Sequence, residues 1–242
     1  MTDQITQRLV VVTDGHWGED PNDFGYGEGE WDETHDDALT RINAVHDERE
    51  IDYLVHNGDI AESDPDDEDM TPHDAHEEVI EHFFDELPSG IEWHVVYGNH
   101  DYVTESEWQS LYGQDFQHTF DINDSYGGIC TNTGGPVEDS DYSAADAGWL
   151  EDQINSFNNE GRRSIVFQHV APFTDDQFGI DMPDVRDQIG RDEVVCCFLG
   201  HNHGRNTLMT VEAGRYIYAS RIGGQEHTPN IDAYGIRVFD LY

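Results

Sequence analysis

Five short apolar runs, at 9–13, 53–57, 93–97, 164–168 and 194–199, each lead on their carboxyl side into side chains able to hold a metal ion. They are followed in turn by Asp14-Gly15-His16, Gly58-Asp59, Gly98-Asn99-His100-Asp101, His169 and Gly200-His201-Asn202-His203. Runs of this length, bounded by turn residues, predict strands. Amphipathic helical patterns lie between them. The segment 34–49 puts Ala38, Leu39, Ile42 and Val45 on one face, 72–87 does so with Val79, Ile80, Phe83, Phe84 and Leu87, and 143–157 with Ala147, Leu150, Ile154 and Phe157. Alternating strands and helices predict an α/β core. Further strand-like runs at 118–122, 128–132, 215–221 and 236–241, the last two without a helix between them, predict a mixed fold with two sheets. The 242 residues contain no Pro/Gly/Ser linker and no fixed-period repeat, so one domain over 1–242 is expected.

In open α/β sheets, ligands sit beyond the carboxyl ends of the strands. Five such ends meeting would bring two carboxylates, an amide and at least four imidazoles around one point. A single Asp-x-His or His-x-His says little, because a lone loop histidine is usually solvated, and His35, His46, His73, His76, His82 and His118 are assigned to that background. The joint arrangement carries the inference.

The ordered series D14-G-H16, G58-D59, G98-N-H-D101, H169 and G200-H-N-H203 resembles the calcineurin-like metallophosphoesterase superfamily, over nearly the whole chain from Asp14 to His203. The resemblance implies two mixed β-sheets packed face to face with helices outside, a four-layer α/β/β/α sandwich. It also implies hydrolysis of a phosphate ester by a water bridging two metal ions. By motif position, one ion would take Asp14, His16, Asp59 and His203, and the other Asp59, Asn99, His169 and His201, with Asp59 bridging. His100 would be the catalytic histidine that binds no metal, and Asp101 its orienting partner. The chemistry of these residue types agrees. A bridging carboxylate can hold two divalent ions about 3.5–4 Å apart, close enough to share one water. Four positive charges against two carboxylates leave a surplus that lowers the water's pKa, and Asn99 ligates without reducing it. Oxygen and imidazole donors without thiolate suit Mn, Fe or Zn, with Mn(II) or an Fe-containing pair expected. The glycines before Asp59, Asn99 and His201 fit tight turns that aim ligands inward.

Departures from the family's branches narrow the substrate. The sequence GDIAESD at 58–64 lacks the Asp-Arg pair of the protein serine/threonine phosphatases, and the tyrosine-bearing second motif of purple acid phosphatases is missing. Repair nucleases share GNHD but are basic. The pattern looks closest to cyclic-nucleotide phosphodiesterase-like and generic small-molecule phosphoesterases, so a small phosphate monoester or diester is expected. A second reading is a non-enzymatic scaffold, or a structural component of a larger assembly such as a virus particle. Metal content separates it from an enzyme.

Composition bounds partners and surroundings. Fifty-three Asp and Glu face eleven basic residues, all Arg, for a formal charge of −42. The acid is spread along the chain, and apolar periodicity runs throughout, which argues against an acidic tail or a disordered chain. A chain adapted to molar salt, where the Debye length falls to about 3 Å, is expected. No basic stripe serves a nucleic acid or an anionic membrane. Cys130, Cys196 and Cys197 form no disulfide framework and read as small hydrophobes. The first apolar run ends in Asp14 and His16 and reads as a strand, not a secretion signal, so a cytoplasmic, reducing setting is expected. Two acidic segments interrupt the pattern. The segment 17–33, with Trp17, Phe24, Tyr26 and Trp31, is a candidate lid or substrate wall, and 62–74 a solvated loop. The charge generates a direct prediction: lowering KCl from molar to tens of millimolar should lower the melting temperature, as measured by circular dichroism. A melting curve indifferent to salt would reject the adaptation.

Overall fold

The structure, a computed structural model, describes residues 7–18, 30–62, 70–135, 142–174, 179–203, 207–222 and 236–242, with the backbone alone at 30–33. The first sheet is built on β1 (Gln7–Thr13), β2 (Tyr53–His56) and β3 (Glu92–Val95), which run parallel in that order. The free side of β1 is shared by two strands from the end of the chain. β10 (Ser220–Arg221) pairs parallel with Val12 and Thr13, and β11 (Arg237–Leu241) pairs antiparallel along Gln7 to Val11. The second sheet comprises β4 (His118–Asp121), β5 (Tyr126–Cys130), β6 (Arg163–Gln168), β7 (Val194–Leu199), β8 (Leu208–Val211) and β9 (Gly214–Tyr218), in the order β4-β5-β6-β7-β9-β8. Its centre, β5 to β9, is parallel, with the antiparallel strands β4 and β8 at the edges.

Five helices cover the sheets: α1 (Glu30–Glu48), α2 (Pro72–Val79), α3 (Glu105–Tyr112), α4 (Ala147–Asn159) and α5 (Pro183–Ile189). The layers follow from side-chain alternation along the strands. On β1, Leu9 and Val11 point between the sheets, where they meet Phe120, Ile165, Phe167 and Phe198. Val10 and Val12 point the other way, into a core with Ile42 of α1, Val79 of α2 and Trp108 of α3. Across the second sheet, Val166, Cys197 and Tyr216 pack against Leu150 and Ile154 of α4 and Val185 of α5. Both faces of each central strand are therefore covered, which is why these strands read as continuous apolar runs. The two mixed sheets with helices outside are the sandwich that the sequence implied. All three cysteines are free and buried.

Several local departures have clear causes. The helix expected to run to residue 87 leaves α geometry at Ile80–Phe84, a π-helical turn closed by Asp85 N donating to Ile80 O at 2.9 Å. That turn buries the adjacent Phe83 and Phe84, edge to face at 5.3 Å. The two helices absent from the sequence reading, α3 and α5, are only eight and seven residues long. Yet α3 carries a complete capping box between Thr104 and Glu107, a signature legible in the sequence. Edge strand β8 is half exposed and lacks the long apolar run of a central strand. The expected lid at 17–33 falls largely outside the described residues. Trp17 itself is buried, stacked on His82 and donating to Glu78 at 3.2 Å, so it does not form a wall open to solvent. Of the expected loop at 62–74, residues 63–69 lie outside the described residues, and α2 begins at Pro72.

Histidines left as solvated background are also drawn into the core. His35 and His76 are buried, and His118 of β4 stacks on His94 of β3 at 5.5 Å. His94 lies flat on Phe120 at 3.7 Å, joining the edges of the two sheets. Burial and the nearby His118 push its pKa down to about 3, so the folded ring stays neutral where the unfolded one would take a proton. His56 and His76 are held down by burial in the same way, to about 3 and about 4. The stability tied to each ring is fully present above about pH 6.5 and is lost as pH falls towards the folded value, by about 1.4 kcal/mol per pH unit per ring. The melting temperature should therefore drop between pH 7 and pH 5. The drop should be shallower in His94→Phe, which keeps the stack without the titration, and an identical slope in the variant would refute this account.

Candidate metal centre

Beyond Thr13 and His56, the parallel pairing of β1 with β2 continues into the turns. Asp14 N donates to Gly58 O at 3.0 Å, Gly15 N to Asp59 O at 2.7 Å and Trp17 N to Ile60 O at 3.1 Å. This registration sets Asp14 and Asp59 side by side. The turns are tight enough to demand glycine at two points. Gly58 has φ +95°, and a Cβ there would fall 2.3 Å from the His169 ring, while one on Gly98 would meet Asp59 Oδ1 at 2.2 Å. Five of the six non-glycine residues with positive φ among those described are Asp14 (53°), His16 (48°), Asp59 (49°), His201 (64°) and Tyr102 (39°). Left-handed backbone costs about 1–3 kcal/mol per residue, and here it is concentrated where side chains must be turned inward.

Among the described residues, the side chains converge in three groups, of which one, His16 with Glu62 and His100, adjoins the two that hold the expected ligands. Oxygen and nitrogen atoms of Asp14, His16, Asp59 and His203 lie within 4.8 Å of one another, as do those of Asp59, His169 and His201. Asp59 belongs to both. In the first group, His203 Nε2 lies 3.1 Å from Asp14 Oδ1 and 3.0 Å from His16 Nε2, which is 3.8 Å from Asp59 Oδ2. Ligands about 2.0–2.2 Å from one ion are at most about 4.4 Å apart, and these three separations fall within that reach. In the second, His169 Nε2 is 2.9 Å from Asp59 Oδ2. Asn99 is buried between Gly98, which abuts Asp59, and His100, whose N–H donates to Asp59 Oδ1 at 3.0 Å. His201 N donates to Asp14 Oδ1 at 3.0 Å.

The tautomers show what the pocket is built for. His169 Nδ1 lies 2.8 Å from Asn57 O, which can only accept, so Nδ1 carries the hydrogen. In its neutral form the ring turns an Nε2 lone pair onto a carboxylate oxygen, Asp59 Oδ2 at 2.9 Å. His16 is held likewise, Nδ1 donating to Glu62 Oε2 at 2.6 Å, so its Nε2 lone pair faces His203 Nε2. A lone pair 2.9 Å from a carboxylate oxygen, as at His169 and Asp59, calls for positive charge between them, and outer hydrogen bonds that fix such tautomers accompany metal-binding histidines. The ionisation of the site has the same sense. Burial disfavours the charged forms of Asp14 and Asp59, yet His203 and His169 respectively hold them below the usual carboxylate range. Against its own burial, His169 is raised to about 9 by Asp59, so a proton on Nε2 meets the same demand for positive charge that a bound cation would meet. The residues present therefore fit a pair of divalent cations.

Two findings correct the sequence reading. The Asp101 carboxylate is engaged by three backbone amides. It is fully buried, with Oδ1 accepting from Ile60 N at 2.7 Å and Ala61 N at 3.3 Å, and Oδ2 from Gly98 N at 2.7 Å. It thus ties the Asp59 turn to the Asn99 turn, because a residue two beyond Asn99 points back under its own loop. Burial and the charge of Asp59 lift it to about 7. His76, from α2, supports it by donating Nε2–H to Asp101 O at 2.7 Å while Nδ1 accepts from Tyr112 OH of α3. The carboxylate beside His100 is instead Glu62, whose Oε1 lies 2.5 Å from His100 Nδ1 while Oε2 holds His16. Burial opposes its charge, but the two imidazoles draw it down to about 2. Glu62 follows Asp59 by three positions within the quoted GDIAESD, and that spacing was the signal available for it. The cluster opens towards solvent at His100 and His203, whose side chains are 22% and 18% exposed, against 0–2% for His169, Asp14 and Asp59.

A profile of the calcineurin-like phosphoesterase family matches residues 7–205, and the chain belongs to that family. No curated protein matches the sequence. Among solved structures, a dimetal phosphatase from Danio rerio is 14% identical, with a TM-score of 0.73 over 99% of this chain and 94% of its own. A putative 5′-nucleotidase from Staphylococcus aureus, in complex with alpha-ketoglutarate, is 13% identical with a TM-score of 0.53 over 89% of this chain, which spans about half (49%) of its length. The phosphopantetheinyl hydrolase of Mycobacterium tuberculosis is 11% identical with a TM-score of 0.50, covering 97% of this chain and 96% of its own. At these identities the likeness is one of fold. No helix among the described residues is long and apolar enough to cross a membrane.

The shared position of Asp59 yields a test by elemental analysis and calorimetry. Protein loaded with Mn(II) should hold about two ions per chain. Asp59→Asn should weaken both sites, and His203→Ala mainly one. Absence of bound metal after loading would overturn the assignment and favour a scaffold.

Proposed function

We propose that the chain is one metallophosphoesterase domain that hydrolyses a small phosphate ester, a monoester or a diester such as a cyclic nucleotide. Asp14, His16, Asp59 and His203 would hold one divalent ion, and Asp59, Asn99, His169 and His201 the other. The convergence of both groups on Asp59 carries this reading. When bound, two such ions supply an activated water and positive charge for the phosphate oxygens. The oxygen- and imidazole-rich donor set favours Mn(II) or an Fe-containing pair.

The chain's own residues account for the remaining work. Asp101 keeps the second and third turns in register, and Glu62 grips His16 and His100 together. With Nδ1 of His100 engaged by Glu62, Nε2 is the ring atom that would meet the substrate. Hydrolysis forms one phosphorus–oxygen bond from water and breaks the bond to the leaving oxygen, which needs a proton. His100 stands at the open side of the cluster and can supply it, while ionised Glu62 steadies the ring through the transfer.

His100→Ala should therefore leave the metal content and the fold intact while the rate falls by about 10²–10⁴-fold, the usual reach of a positioned acid. Nitrophenyl esters, whose leaving group needs little protonation, should lose least, and alkyl esters most. Steady-state kinetics on both classes checks this. Equal losses would mean that His100 acts through charge alone, and full activity would remove it from the mechanism.

A further inference from the structure

Two half-buried tyrosines flank the cluster, and the reaction as derived uses neither. On the His100 side, the Tyr102 ring stands edge-on to the imidazole at 5.8 Å, with its hydroxyl 3.3 Å from Nδ1. On the His201 side, the Tyr142 ring is 5.0 Å from that imidazole at 67°. Both positions are fixed by the backbone. Tyr102 shares its left-handed conformation with four candidate ligands. Tyr142 forms a β-bridge with Gly134, reinforced by Ser143 N donating to Thr133 O and Ser143 Oγ to Gly134 O, each at 3.0 Å. Gly134 in turn lies so close to the turn before Asn99 that a Cβ on it would meet the Tyr97 ring at 2.1 Å and Gly98 O at 2.8 Å. Tyr142 is therefore tied through the main chain to the turn that carries Asn99 and His100.

We propose that Tyr102 and Tyr142 are specificity-determining walls, and that the ester is a phosphodiester bearing planar aromatic or heterocyclic groups, Tyr102 facing the leaving group and Tyr142 the retained one. This rests on the phosphoesterase reading above. A half-buried ring, backbone-anchored and beside a reacting centre, offers the exposed part of a flat apolar face to a flat partner. The ion pairs of Arg8, Arg41, Arg49, Arg162, Arg186 and Arg191 run to carboxylates outside the cluster. Stacking suits such a chain, because screening salt weakens charge-based recognition and leaves apolar contact intact.

The test compares two diesters with the same leaving group, bis(4-nitrophenyl) phosphate and methyl 4-nitrophenyl phosphate, on the Mn(II)-loaded full chain. The wild type should show the lower KM for the bis-aryl ester. Tyr142→Leu should raise that KM about fivefold or more, the reach of a lost base–aromatic stack, and leave the methyl ester's KM unchanged. Tyr142→Phe, which keeps the ring, should behave as wild type. Metal content and melting temperature of each variant establish that the fold is retained. Parallel changes on both esters, or wild-type indifference to the retained group, would overturn the proposal while leaving the phosphoesterase reading in place. Failure of the metal-loaded wild type on both diesters while it cleaves the monoester 4-nitrophenyl phosphate would overturn the proposal alone, and failure on all three would overturn that reading with it.

Discussion

Asp14, Asp59, Glu62 and Asp101 are buried together at the carboxyl ends of the strands, and the rest of the pocket is arranged around their charge. An unpaired ion in a protein interior costs several kcal/mol, so each carboxylate must be met. Asp101 is met by three backbone N–H groups and, under the field of Asp59, holds its proton more readily. Glu62 is met by two imidazoles. Asp14 and Asp59 each take one backbone amide on one side and imidazoles on the other. Between those imidazoles and oxygens the remaining requirement is positive charge, which is what a pair of cations supplies.

Meeting these demands constrains the backbone. An amide can reach a buried carboxylate only where the chain leaves its strand sharply, and the turns after β1, β2 and β7 do so with residues in left-handed conformation. Such strain persists where surrounding structure over-determines it. Here the determinants are the ladder of hydrogen bonds carried past the ends of β1 and β2 and the glycines that let Asp59 and His169 approach the backbone. Packing two sheets face to face then brings the turns of β6 and β7 against those of β1, with Gly200 N donating to His169 O and His201 N to Asp14.

The central strands were legible because burial on both faces leaves an unmistakable apolar run, as in Leu9 to Val12 and Val194 to Leu199. The longer amphipathic helices were legible for the same reason, on one face. Elements whose stability comes from context were not. α5 is seven residues long, β8 is an edge strand beside solvent, and the π turn at Ile80–Phe84 answers to packing around Phe83 and Phe84 that no local pattern encodes.

The same division runs through the site. By itself the sequence determined which residue types sit at the strand ends and in what order, because side chains following a buried strand have little choice but to emerge at one edge of the sheet. Asp14, His16, Asp59, His169, His201 and His203 were named on that ground, and they make up two of the three groups that the structure gathers. Partnerships across the pocket were decided only by the tertiary structure. Asp101 is adjacent to His100 in sequence yet turns beneath the loop to its amides, while Glu62, reaching from the turn after β2, takes the imidazole instead. His76 and Tyr142 acquire their neighbours only because α2 and the bridge to Gly134 bring them there. Adjacency along a chain fixes where a residue starts, but hydrogen-bond partners are chosen by direction in space, and that direction comes from the packed sheets.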